Sequence, residues 1–314
     1  MAFECERLIM HDRRLRLFGL LGAVAVAGAA CASGAAAEPV QPATRQALVE
    51  LYNTPVEFVV AELKVTAECM AAAGFGYLPY TLLRADPRPT RSLAGLPFRM
   101  NRGEAEQDGY GTRIGTADTS HQDVDSAVAA YLATLTPDQQ LAYSRAEVDD
   151  TAVEVTVNLP DGAVVGAASE GCVAQGRIAV YGSVADFLTF EYFPQGLRQF
   201  SETAYASTEF EAAQGRYAGC MRDAGFDVAT VSGAVELAQE RFGSRPTTGA
   251  PSPDEVAMAV TDAECQTASG VYEAVDDALV AAASSWINDH EGELLGIAEL
   301  QHSASARVAA ILAS

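Results

Sequence analysis

Lysine is almost missing from this chain: Lys64 stands alone against 19 arginines. A Ser-x-x-Lys nucleophile pair is therefore excluded. Histidine is scarce as well, at His11, His121, His290 and His302, with no two at i, i+4 and no His-Glu-x-x-His run. That removes the usual helical zinc motif. No Gly-x-Ser-x-Gly elbow is present, so a serine hydrolase of the α/β type has no support. Basic charge is short throughout. The formal net charge is −22, and so acidic a chain is repelled by nucleic acid and by anionic lipid. We expect no nucleic-acid partner, and no cofactor or metal is called for.

Against these absences stands a heptapeptide that occurs twice. Cys-Met-x-x-Ala-Gly-Phe runs from Cys69 to Phe75 and again from Cys220 to Phe226. Each copy follows an apolar run at helical spacing: Val59, Leu63, Ala67 and Met70, then Phe210, Ala213, Tyr217 and Met221. Gly74 and Gly225 stand where a left-handed residue ends a helix at least steric cost. Counting back from each glycine, Met70 and Phe75, and likewise Met221 and Phe226, take the two positions that touch in a Schellman cap. The motif thus reads as a helix stop with one cysteine left over.

The first 30 residues read as an export signal. Arg7, Arg13, Arg14 and Arg16 form a basic start, and Leu17 to Ala30 form an apolar run too short to span a bilayer. Gly28-Ala29-Ala30-Cys31 resembles the lipobox of bacterial lipoproteins, with Gly28 where Leu is usual. Cys31 is accordingly the expected lipidation site and mature N-terminus. An ordinary small-residue cleavage within Ala29 to Ala37 is the other reading. Removing residues 1–30 takes away four Arg, two Glu and one Asp, so the mature chain is one charge more acidic. Its contact with the membrane would come from the lipid on Cys31.

With Cys5 in the signal and Cys31 assigned to the lipobox, Cys69, Cys172, Cys220 and Cys265 remain. An even number in an exported chain points to two disulfides, and four cysteines allow three pairings. We choose Cys69–Cys172 and Cys220–Cys265, because each joins a heptapeptide helix to the next cysteine along the chain. A tetrathiolate zinc site is the alternative, but it needs closely spaced cysteine pairs and these are isolated.

Along the rest, residues 31–43 read as a flexible tether rich in Ala, Gly, Pro and Ser. Thr44 to Ala73 carries one helical pattern broken at Pro55. Residues 79–120, with Pro79, Pro87, Pro89 and Pro97, read as an irregular surface segment. Thr136-Pro137-Asp138-Gln139 and Ser252-Pro253-Asp254-Glu255 are capping boxes, and Thr208 with Glu211 makes a third. Val153, Val155 and Val157 alternate before Pro160-Asp161-Gly162, which predicts one β-hairpin. Helix fills Gly171 to Gly182, Leu197 to Ala206, Val231 to Phe242 and Pro253 to Ala313. The expected fold is mainly α, a disulfide-stapled helical protein of two related, unequal halves with one small hairpin. The halves are 44–200 and 201–314.

The paired heptapeptides, the later cysteines and the lipobox-like signal together resemble a group of uncharacterised secreted lipoproteins of actinobacteria. Tyr131-Leu132 with Thr136 to Tyr143, Gly171-Cys172 through Tyr181-Gly182, and Ala263-Glu264-Cys265 carry the same resemblance; Ala218-Gly219 depart from it, where a Trp is expected. It implies export, lipidation and stapled helices, and it implies no reaction.

Five features bear on chemistry. His290 with Asp289 and Glu293 could hold a metal, yet exposed charge is the commoner reason for such a cluster. Asp149-Asp150 and Asp276-Asp277 lack a calcium loop and read as solvated surface. Gly109-Tyr110-Gly111 lacks the strand and helix of a phosphate cradle. Trp286, the one tryptophan, reads as core packing or a cleft anchor. The expectation is an exported, lipid-anchored envelope protein on the outer face of the membrane that binds an envelope protein or a small envelope ligand. A cell-wall hydrolase with paired carboxylates is the alternative.

Overall fold

The computed structural model describes residues 38–78, 92–114, 117–149, 151–244 and 250–314. The signal, Cys31, Pro79, Pro87, Pro89, Asp150 and the side chain of His121 lie outside the described residues. Helices α1 (Pro42–Tyr52) and α2 (Glu57–Ala72) are separated at Pro55, as a proline without an N–H donor requires. After them come α3 (Arg102–Asp108), a 3-10 turn (Gly111–Arg113), α4 (Ala117–Ala133) and α5 (Pro137–Glu147). Strands β1 (Glu154–Asn158) and β2 (Val164–Ala168) pair antiparallel, Glu154 opposite Ala168 and Asn158 opposite Val164. Val155, Val157, Val165 and Ala167 face the core, and Gly162 turns the hairpin at φ 84°.

The remainder is helical: α6 (Cys172–Tyr181), α7 (Val184–Tyr192), a 3-10 run (Phe193–Phe200), α8 (Ser201–Tyr205) and α9 (Thr208–Asp223). Then follow α10 (Val231–Phe242), α11 (Pro253–Ser269), α12 (Val271–Ala282), α13 (Ser284–Asp289) and α14 (Glu291–Ala313). The fold is mainly α, with two disulfides, Cys69–Cys172 and Cys220–Cys265, as expected. The first ties the end of α2 to the first residue of α6. The second ties α9 to the body of α11.

Both heptapeptides close their helices in the same way. Phe75 N–H donates to Met70 O at 2.9 Å and Gly74 N–H to Ala71 O at 3.0 Å; Phe226 donates to Met221 at 2.9 Å and Gly225 to Arg222 at 2.9 Å. Gly74 and Gly225 sit at φ 89° and 90°, so these are Schellman caps. Thr136 and Gln139 form the reciprocal capping box. The box expected at Thr208 is displaced: Ser207 holds the extended cap conformation and accepts from Phe210 N–H, which makes Thr208 the first helical residue. At Ser252 only the outgoing half follows the expected pattern. Ser252 accepts from Glu255 N–H, while the Glu255 side chain turns inward to Tyr110.

Helix α2 packs closely on α6 because Gly176 presents no Cβ to Glu62 O and Thr66 Oγ1. Helix α14 lies against α1, α2, α6 and α7 and covers this pair. Helix α9 packs on α11 and α12, with α3 against α11. One hydrophobic cluster takes Leu48, Phe58 and Val180 from the first half and Tyr217, Met221, Leu279, Ile297 and Val308 from the second. A single core therefore runs through both halves, and Ala37–Ser314 closes up as one unit.

Candidate functional site

The densest polar cluster belongs to α11, whose inward face carries Glu255, Asp262, Gln266 and Ser269 at spacings of seven, four and three. Such spacing puts all four on one face of a helix. Asp262 accepts from Tyr217 Oη at 2.7 Å, Gln266 Nε2 at 3.0 Å and Tyr110 Oη at 3.0 Å. Burial pushes the Asp262 carboxyl above its usual range, opposed by those three donors. Burial, with Asp262 beside them, also drives the Tyr110 and Tyr217 hydroxyls well upward.

The same helices hold a neighbouring stretch of chain. Leu93 N–H donates to Asp276 Oδ1 at 2.7 Å, Met100 N–H to Gln266 Oε1 at 3.1 Å and Tyr110 N–H to Glu255 Oε1 at 3.2 Å. Tyr272 and Tyr205 donate their hydroxyls to Pro97 O at 2.6 Å and Ala94 O at 3.2 Å. Outside α3 and its turns, this stretch thus meets part of its backbone demand through side chains, where a strand would use a ladder. Leu93, Ala94, Met100, Ala105, Tyr110 and Ile114 are buried there, so this part of the expected surface segment is core. Asp276 likewise is buried and not solvated; burial raises its carboxyl to about 6, opposed by the Leu93 and Ala94 N–H groups. Asp277 alone of that pair is at the surface, in an ion pair with Arg45.

Asp262, Tyr110 and Tyr217 are closed off from solvent, each at 0% exposure. A substrate cannot reach them as folded, and their work is to dock the 92–114 stretch. A third carboxylate, Glu147, is raised by burial beside Tyr143, whose hydroxyl donates to it at 3.5 Å. It borders the aromatic cluster of Phe75, Tyr77, Tyr131 and Tyr143 that covers the Cys69–Cys172 bridge. Burial pushes the Tyr77 hydroxyl up to about 12.

Trp286 is half-buried, stacked on His290 with ring centroids 4.6 Å apart and near Phe193 at 5.9 Å. A Cβ on Gly196 would lie 2.7 Å from its ring, so that glycine makes room for the indole. His290 Nδ1 is 2.7 Å from Trp286 O. The residue thereby joins an aromatic stack, and among the described residues no three His, Cys, Asp or Glu side chains are grouped to hold a metal.

An open groove of about 530 Å³ lies between the C-terminal end of α1 and α14. Val49, Glu50, Asn53 and Pro55 line one side, Gln301, His302 and Ser305 the other, with Arg99 at the rim. His302 Nε2 lies 3.4 Å from Glu50 Oε2. Gln301 Nε2 donates to Glu50 O at 3.2 Å, and Asn53 Nδ2 to Val49 O at 2.8 Å. Their oxygens differ: Gln301 Oε1 and Asn53 Oδ1 are buried and accept from nothing. Each such acceptor costs about 1–3 kcal/mol. Arg99 is engaged by Glu273 and stacks over the Tyr272 ring at 5.3 Å.

Searches of family models, curated proteins and solved structures return no match to this chain. Its site is therefore read from its own residues. Sequence reasoning gave Asp262 and the groove no role, placed Tyr217 only on the apolar face of its helix, and weighed Tyr110 only within Gly109-Tyr110-Gly111. A signal for Asp262 existed, since polar residues at helical spacing on an otherwise apolar face of α11 need buried partners. For the groove there was none, because α1 and α14 lie about as far apart in sequence as the folded chain allows.

Proposed function

We propose that this chain is an exported lipoprotein, held at the outer face of the cell membrane by a lipid on Cys31, whose helical body is a binding or interaction module. The observation that carries the reading is the pair of long-range disulfides, which suit an oxidising extracytoplasmic compartment. Among the described residues no helix is long and apolar enough to cross a membrane. Attachment in this reading therefore rests on Cys31. A binding role draws support from the open groove with its unpaired acceptors. The likeness to actinobacterial secreted lipoproteins adds export and lipidation to the same reading.

The test is phase partition in a cloud-point detergent after expression in a host that processes lipoproteins. Wild-type protein should enter the detergent phase and C31A should stay in the aqueous phase. Equal partition of the two would overturn the anchor. In-place cross-linking through the groove, at Ser305 for example, should trap an envelope component; a protein that cross-links to nothing from any exposed position would overturn the binding role.

A further inference from the structure

We propose that the outer edge of β2 takes up an extended, positively charged segment of an envelope protein as a third strand. The inference rests on the reading of the body as an interaction module and names its partner. Ser169 N–H donates to Val153 O at 3.0 Å and Leu159 N–H to Ala163 O at 2.8 Å, and Glu154 stands opposite Ala168. Bonded positions alternate with unbonded ones along an antiparallel pair. Glu154, Thr156 and Asn158 on β1, and Val164, Gly166 and Ala168 on β2, therefore turn their N–H and C=O groups outward to the two edges. No described residue bonds to these groups. The hairpin is the one sheet among the described residues, so no further strand of theirs covers either edge. Of the two, β2 is the less guarded. Val164 to Ala168 carries neither charge nor proline, the usual devices that keep an edge unpaired, whereas β1 has Glu154 and is soon followed by Pro160.

The edge stands on a fixed base, since the inner face of the hairpin packs on Val184 and Leu188 of α7. Val153 and Val164, at 78% and 61%, are the two most exposed large apolar side chains of the described residues, and both belong to this hairpin. Charge selects the occupant. Gly166 has no Cβ, and the Glu154 carboxylate lies over it from the diagonal position on the outer face, without a partner of its own among the described residues. A strand added to β2 sets one residue opposite Gly166 with its side chain on that same face. Arginine or lysine there meets Glu154, and an acidic residue is repelled. A second copy pairing through β2 about Gly166 would bring two Glu154 carboxylates side by side, between chains of net charge −22 each. The occupant is therefore a different and basic chain.

The probe is the end-blocked peptide Thr-Val-Arg-Val-Thr, added to the intact mature protein while solvent exchange of single amides is followed by NMR. Its arginine would stand opposite Gly166, with its valines beside Ala167 and Val165. So short a strand should bind with a Kd on the order of 1 mM. At about 5 mM peptide, exchange should slow roughly sixfold at Val164, Gly166 and Ala168 and stay unchanged at Glu154, Thr156 and Asn158. Glu154→Gln should weaken binding about two- to fivefold. Glu154 is exposed, so that variant keeps the fold. Methylating the backbone nitrogen of the peptide's arginine should abolish binding while its charge remains. Slowing at both edges or at neither, an unchanged Kd in Glu154→Gln, or equal binding of a peptide with Glu in place of Arg would each overturn the proposal. Slowing that grows with protein concentration alone would overturn it too, in favour of a second copy. A cross-linked envelope component without protection of β2 removes this surface alone, whereas loss of Cys31-dependent partition and of every cross-link removes the wider reading.

Discussion

Substituting Gly176 by alanine puts one methyl group into the tightest helix contact of the first half. Its Cβ would stand 2.6 Å from Thr66 Oγ1, 2.7 Å from Glu62 O and 3.1 Å from Glu62 Cγ. The carbonyl oxygen belongs to the backbone of α2, so no rotamer change relieves that contact. Restoring an ordinary separation of roughly 3.4 Å needs α2 and α6 to part by about 0.7 Å. The Cys69–Cys172 bridge, four residues up α6, resists the movement. Overpacking of this kind costs about 1–3 kcal/mol, against a gain of up to about 1 kcal/mol in helix propensity. A net loss of about 1–2 kcal/mol should lower Tm by roughly 2–8 °C in a chain of this size. Gly215→Ala is the control: its α9 position has nothing within 4 Å of the new Cβ, so propensity acts alone and Tm should rise slightly. Differential scanning calorimetry on both variants decides the matter. A Gly176→Ala protein as stable as Gly215→Ala would refute the close-packing account. Thr66→Ala should not rescue Gly176→Ala, because the Glu62 carbonyl remains.

Gly74→Ala and Gly225→Ala should each cost about 1 kcal/mol, measured by urea unfolding, since both hold positive φ with open space around the Cβ. A gain in stability at either would contradict the left-handed cap. Reducing both disulfides should destabilise by several kcal/mol, as closures of 103 and 45 residues are worth about 4–5 kcal/mol each in the chain-entropy account. An unchanged melting curve in reductant would contradict that. Asp276 has a folded pKa raised from 3.8 to about 6, so its contribution favours the native state below pH 4 and is lost as pH rises through 6. Asp276→Asn keeps an acceptor for Leu93 N–H without the charge, and should be more stable than wild type at pH 7 by up to about 3 kcal/mol. The two proteins should converge at pH 4. A difference that stays constant with pH would show that Asp276 does not titrate in this range.

Features fixed by neighbours along the chain were legible in the sequence. The Schellman caps follow from a glycine and two apolar positions within six residues, and the hairpin from alternation with a Pro-Asp-Gly turn. The disulfide pairing was legible too, though only as one choice among three. What was not legible depends on partners far away. Prolines and glycines marked 79–120 as an irregular surface segment, and for the buried part of 92–114 that placement was wrong. Leu93, Met100 and Tyr110 are buried there, and Asp276, Gln266 and Glu255 accept their N–H groups across 183, 166 and 145 residues. The cap at Ser207 was missed by one residue, since Ser207 and Thr208 are chemically equivalent and only the backbone turn separates them. Groove and buried aspartate share the same obstacle: each is assembled from segments whose polar residues look like ordinary surface until the segments meet.

The last helix has a bearing on the order in which this protein can be made. Helix α14 supplies 23 residues, and they cover α1, α2, α6 and α7, all of which precede it in the sequence. Synthesis delivers a chain from its N-terminus, so the first half emerges long before its cover. Cys69 and Cys172 can join early and hold α2 on α6, yet Leu48, Phe58 and Val180 stay wettable until Ile297 and Val308 arrive. A chain cut before α14 should therefore be as badly damaged as one cut much earlier, and a nascent chain halted at the hairpin should still recruit chaperones.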